Sequence, residues 1–270
     1  MRALLRVLAA ALIIAPLAAA PVFLVAEPLT ALHRRGWFLA GWGHDDYDRI
    51  INIIIGPLLT AAIVLGVMLA ARYVDKRPMR LRFDGRTFSL GFGLGAALMT
   101  LVFAVEWAAG WIGVGAGRLT MLAVSFTVVK VLCVGVYEEV VARGYLMRNI
   151  GVIGSSLVFA LLHLFNDNAS VVSTAGLFIN GLLFAAAVLV TGRLSTAIGL
   201  HMAWNLFEGL VFGFPVSGDK EASSLIAITQ FGPGIVTGGA FGPEAGLIGV
   251  VASLAGIAVL SKRTRVAPRV

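Results

Sequence analysis

Apolar stretches close to membrane length dominate this chain. Eight can be read, at about 4–25, 50–72, 88–111, 121–147, 152–165, 170–190, 194–214 and 235–260, most of them near the ~20 residues a helix needs to cross a hydrocarbon core. Such a chain has few folds open to it. In lipid the backbone must satisfy its own hydrogen bonds, which leaves helices or closed barrels, and continuous apolar runs of this length are helical. Of 270 residues, 59% are hydrophobic and 13% charged, against roughly 25% charged in soluble domains. The expected fold class is therefore all-α, a polytopic membrane helix bundle of about eight transmembrane helices. The fifth stretch is short, which predicts a place inside the bundle where neighbours satisfy its polar groups.

The first stretch carries Arg2 and Arg6 ahead of an apolar run ending in small residues. A cleaved signal peptide is the alternative to a retained helix, and the retained helix is expected because the run exceeds the ~7–15 residues of a signal core. Pro16 and Pro21 should kink it. Lysines and arginines set the orientation. With both termini cytoplasmic, fifteen lie inside (Arg2, Arg6, Arg72, Lys76, Arg77, Arg80, Arg82, Arg86, Arg143, Arg148, Arg193, Lys262, Arg263, Arg265, Arg269) and five outside (Arg34, Arg35, Arg49, Arg118, Lys220), the bias expected of cytoplasmic loops. The net charge of +7 is thus explained by orientation, and no nucleic-acid partner is expected. Polar connections are too short for an independent domain, so residues 1–270 read as one membrane domain. The loop-poor layout suggests a prokaryotic cytoplasmic membrane. The one cysteine, Cys133, lies in an apolar run and reads as packing.

Charge inside such segments is costly and needs a partner or a task. Two adjacent glutamates, Glu138 and Glu139, close an apolar run and are followed by Arg143. Glu139 and Arg143 are four apart, share a helical face and can pair. Glu138 is rotated about 100° from Glu139 and stays available for chemistry. The fifth stretch carries Phe159 one turn before His163, where the ring can hold the imidazole. The seventh carries His201 and Asn205, four apart on one face. A rise of ~1.5 Å per residue puts Glu138, His163 and His201 about 14, 17 and 11 Å from their cytoplasmic helix ends, so the three can meet at one level.

A carboxylate and two imidazoles in a low-dielectric pocket suit general acid–base activation of a water. Glu138, His163 and His201 could instead hold a zinc ion with an open position for a hydrolytic water. Metal-free chemistry is favoured, because Asn205 is a poor zinc ligand yet shares a face with His201 and supplies an amide donor. Each residue alone has a plainer reading as helix-to-helix glue. Glu106, Lys130 and Glu208 read as interfacial or paired. Gly91, Gly93 and Gly95 lack the strand–turn–helix context of a nucleotide loop and read as close helix packing.

The three patterns, EEVVAR at 138–143, FALLH at 159–163 and HMAWN at 201–205, resemble the EExxxR, FxxxH and HxxxN motifs of the CAAX protease and bacteriocin-processing (CPBP, or ABI) family of intramembrane proteases. The resemblance covers about 121–214, taken as the catalytic core, and extends to the glycine-rich 237–246. It implies hydrolysis of a peptide bond in a membrane-anchored or lipidated protein or peptide. By that resemblance Glu138 and His163 activate water, His201 and Asn205 stabilise the oxyanion, and Glu139, Arg143 and Phe159 support them. Two other classes compete: a catalytically silent scaffold or immunity factor of the same fold, and a proton or metal transporter. The intact Glu138, His163, His201 and Asn205 set argues against the first. The transporter reading expects broken helices or related halves, and no such symmetry is visible.

Overall fold

The computed structural model describes residues 2–39, 41–220 and 223–263. Arg265 and Arg269 of the proposed inside set lie outside them. The bundle is helical, with α1 (Arg2–Pro21), α2 (Glu27–Arg34), α3 (His44–Tyr73) and α4 (Gly85–Ala108) preceding a short strand β1 (Ile112–Ala116). Then come α5 (Met121–Glu139), α6 (Met147–Leu162), α7 (Val171–Thr191), α8 (Leu194–Asn205), β2 (Ile226–Gln230), α9 (Gly234–Thr237) and α10 (Leu247–Arg263). Among the described residues, five helical segments are long and apolar enough to cross a membrane: Ala3–Arg34, His44–Tyr73, Gly85–Ala108, Met121–Phe165 and Val171–Thr191. The protein is an integral membrane protein. Eight spans are more than helix length alone supports, because Met121–Phe165 unites two expected stretches and the last two give shorter helices.

Local chemistry accounts for most of the boundaries. Pro21 cannot donate to the helical ladder, and the chain passes through a π-helical turn, Val22–Ala26, into α2, as proline-bearing helices do where the hydrogen-bond register must shift. Asp84 caps α4 by accepting from the backbone N–H groups of Arg86 and Thr87, satisfying donors the helix cannot. Ser170 and Ser173 form a capping box at the start of α7, and Gly192 ends it in the left-handed conformation. α3 begins six residues earlier than its apolar run because Asp45 and Asp46 occupy its first turn, where carboxylates complement the helix dipole.

Glycine explains the closest packing. A Cβ at Gly91 would lie 1.9 Å from the Thr196 carbonyl oxygen and one at Gly95 2.4 Å from that of Leu200, so α4 and α8 approach backbone to backbone. Gly93 has no heavy atom within 4 Å of its notional Cβ, so the packing role expected of all three glycines belongs to two. α1 lies at the edge, with 6% of its apolar window buried, and meets α3 through Ala10 and Val67. The main core gathers Leu98, Phe159, Leu183, Phe184, Leu200 and Trp204.

Two features depart from the expected layout. β1 and β2 pair antiparallel, with Ile112 opposite Gln230 and Ala116 opposite Ile226; five-residue segments more than 100 positions apart carry no local signal for this. The stretch at 235–260 is not one helix. Gly238 and Gly242 have φ of +81° and +120°, and a Cβ at Gly238 would stand 1.7 Å from the Gly242 carbonyl oxygen. These glycines fold 238–246 into a tight loop, and α10 starts only at Leu247.

Candidate active site

Three structural breaks set up the site. α5 ends at Glu139 and continues as a π-helical segment, Val140–Leu146, which carries Arg143. α6 is interrupted at Gly151 (φ 74°, ψ 179°) and ends one residue before His163. α8 gives way after Asn205 to a second π-helical segment, Leu206–Val211. Such π turns inside helices are frequent at functional sites.

Between these elements the side chains converge. His163 Nε2 and His201 Nε2 each lie 3.9 Å from the same atom, Glu138 Oε2. His163 Nδ1 donates to the Phe159 carbonyl at 2.8 Å, and His201 Nδ1 donates to Glu139 Oε1 at 3.0 Å. Both rings therefore carry their proton at Nδ1, and both Nε2 atoms face Glu138. Glu138 Oε2 is buried and accepts no hydrogen bond from the described residues.

Glu139 does more than pair with Arg143. Its Oε1 accepts from Arg143 at 2.8 Å as well as from His201, with the carboxylate and the guanidinium both fully buried. Arg143 also donates to the Gly181 carbonyl at 2.9 Å, and its guanidinium lies over the Phe159 ring at 4.4 Å and the Phe184 ring at 5.1 Å. Phe184 in turn stacks on His201 at 4.7 Å and 15°, while Phe159 packs against His163 at 4.7 Å. Arg143 is held by a charge, a carbonyl and two π faces, and through Glu139 it fixes the His201 ring.

Glu138, His163, His201 and Asn205 all line one cavity of about 700 Å³. Its walls also include residues that the sequence did not nominate: Ile14 and Ala18 of α1, Ile63 of α3, Asn166 and Asp167 beyond α6, and the turn at 216–219. Lys130 lines the cavity too and forms an ion pair with Asp219 of that turn. Glu106 and Glu208, expected at an interface or in pairs, are both fully buried, and Glu208 lies within hydrogen-bonding reach of Glu244 and Trp204. Among the described residues no three His, Cys, Asp or Glu side chains are arranged to hold one.

The site thus places one carboxylate before two oriented imidazoles within a helical bundle. The model of the family described as type II CAAX prenyl endopeptidase Rce1-like matches residues 120–207. The matched segment carries the three motifs that resemble those of the CPBP family. Among curated proteins and among solved structures, none matches the chain.

Proposed function

We propose that the chain is an intramembrane endopeptidase that hydrolyses a peptide bond in a membrane-anchored or lipidated protein or peptide. The carrying observation is the convergence of His163 Nε2 and His201 Nε2 on Glu138 Oε2 inside a cavity with apolar walls. The match to a family of prenyl endopeptidases supports the same reading.

The geometry suggests how the reaction runs. The 3.9 Å between Glu138 Oε2 and His163 Nε2 is a separation that the two O–H groups of one water can span. Glu138 takes a proton from that water as its oxygen attacks the carbonyl carbon, and His163 accepts the other hydrogen bond. The carbonyl oxygen becomes an oxyanion. His201 keeps its Nδ1–H on Glu139, so donation from Nε2 requires a doubly protonated ring, and Glu139 is placed to balance that charge. Asn205 offers a second donor from one turn further along α8. Collapse breaks the C–N bond, the leaving nitrogen takes the proton held by Glu138, and one water has been consumed. In that doubly protonated form the ring's charge, like that of Arg143, lies beside the Glu139 carboxylate, which suits a low-dielectric site.

Two expected results test this scheme. Asn205→Ala should lower kcat by about 10²–10³ with little change in KM, the cost of removing one oxyanion donor; a lower yield of folded protein at unchanged specific activity would make Asn205 structural. Purified protein treated with a membrane-permeable chelator should keep its activity on a lipidated peptide, since Glu138 and His163 supply the base chemistry. Loss of activity on stripping, recovery with Zn²⁺ and about one zinc per chain by elemental analysis would establish the metal-dependent alternative. Placement in a prokaryotic cytoplasmic membrane with both termini inside remains part of the proposal, supported by the fifteen-to-five distribution of basic residues.

A further inference from the structure

The connection at 74–84 joins two bilayer-length helices, α3 and α4, and reads VDKRPMRLRFD. Its cations outnumber its acids, and both acids are committed within the protein. Asp75 is buried and accepts from the Tyr145 hydroxyl at 3.2 Å and from Asn149 at 2.9 Å. Asp84 caps α4 and stands 4.0 Å from Arg193. Lys76, Arg77, Arg80 and Arg82 are exposed, as are Arg72 and Arg86 on the helices to either side. Among the described residues, none of these basic side chains forms an ion pair.

The loop is held in place. The Arg77 N–H donates to the Ala71 carbonyl at 2.8 Å, and Arg148 of α6 donates to the Arg77 carbonyl at 3.1 Å. Ser195 of α8 accepts from the Asp84 N–H at 2.9 Å and donates to the Arg82 carbonyl at 3.4 Å. On the inner side, the Met79 sulfur would stand 3.2 Å from a Cβ at Gly144, against the cluster of Tyr145 and Leu146. Lys76 has φ +55°, a conformation that favours glycine, so its charge is kept at a cost. Arg148 and Arg193 are exposed at the same end, and the row of cations thus flanks α3, α4, α6 and α8. Within the row, Leu81 and Phe83 are 40% and 73% exposed and alternate with Arg80 and Arg82.

We propose that this face binds the anionic headgroups of phospholipids in the leaflet beside it. A basic juxtamembrane segment is attracted to such a surface over about a Debye length. Two features go beyond the count of basic residues that sets orientation. The acids that could neutralise the row are withheld by Tyr145, Asn149 and the cap of α4, and the pinned backbone leaves little freedom to be lost on binding. The exposed Leu81 and Phe83 add contact with the acyl boundary, and membrane-surface binding scales with apolar area as well as with attraction to anionic lipid. The cations lie along a loop and beside four helices instead of round one point, which fits a field of headgroups better than a single free anion. This surface stands apart from Glu138, and its test does not depend on the peptidase reading.

The test uses full-length protein in detergent micelles titrated with phosphatidylglycerol or with phosphatidylcholine, and bound lipid is counted by native mass spectrometry. Phosphatidylglycerol should bind more tightly than phosphatidylcholine, which carries no net charge, and its affinity should fall as salt is raised. Each basic side chain near such a surface contributes about fivefold, so Arg80→Gln/Arg82→Gln/Arg86→Gln should weaken phosphatidylglycerol binding by about a hundredfold. Arg80→Lys/Arg82→Lys/Arg86→Lys keeps the charge and should bind close to wild type, which separates lost charge from a disturbed fold. Arg34→Gln/Arg35→Gln, at the opposite end of the first long helical segment, should leave binding unchanged. Equal affinity for the two lipids, equal weakening by the two glutamine variants, loss of binding in the lysine variant, or displacement of the lipid by inorganic phosphate overturns the proposal.

Discussion

Glu138→Gln is expected to lower hydrolysis by about 10²–10⁴-fold, the range that a positioned general base contributes, with expression and thermal stability close to wild type. The amide keeps the shape of the side chain but cannot accept the water's proton. A glutamine can still accept the Tyr137 hydrogen bond, and the hydrogen bonds that orient the two histidines run elsewhere, from His163 Nδ1 to the Phe159 carbonyl and from His201 Nδ1 to Glu139. The substitution should therefore change kcat and leave the fold alone. A lipidated peptide with a quenched fluorophore reads the rate, and thermal unfolding in the same detergent reads the fold. Wild-type turnover in the variant would remove Glu138 from the mechanism, and a scaffold or immunity role would then gain ground.

Much of this site was legible because its chemistry lies on helices, where spacing in the chain becomes direction in space. The i, i+4 relation of Glu139 and Arg143 is the 2.8 Å pair seen in the structure, and helix offsets alone bring Glu138, His163 and His201 to one depth. What stayed hidden comes from long-range contact. That Glu139 also holds His201, 62 positions away, depends on how α5 and α8 lie together, and no periodicity encodes it. Phe184 sits in an unbroken apolar run on α7, so nothing in its neighbourhood separates a residue that stacks on the His201 imidazole from one that fills the core. Asp219 lies in a connection that reads only as polar loop, and its pairing with Lys130 spans 89 positions. The glycine-rich stretch at 237–246 reads as the start of a helix only because it adjoins the apolar run that continues to 260. Its positive-φ glycines bend the chain instead, and that preference shows in composition without saying which way the loop turns.

Arg143→Met should destabilise the protein by about 3–5 kcal/mol, the cost of removing one member of a buried ion pair. Methionine replaces much of the volume, and its thioether is compatible with the Phe159 and Phe184 faces, so lost packing is not the main effect. The charge is. Glu139 would remain fully buried with His201 as its one remaining side-chain partner, and the Gly181 carbonyl would lose the donor it accepts from at 2.9 Å. The double variant Glu139→Gln/Arg143→Met removes both charges and should recover much of that loss, since replacing a whole buried pair by neutral groups is often close to neutral. Its activity should not recover, because the carboxylate that orients His201 and balances its charge is gone. Stability and catalysis thus part company between single and double variants, and unfolding measured alongside turnover reads both. Additive destabilisation in the double variant would mean that the two residues act independently, and a wild-type melting temperature for Arg143→Met alone would show that Glu139 needs no counter-charge in this core.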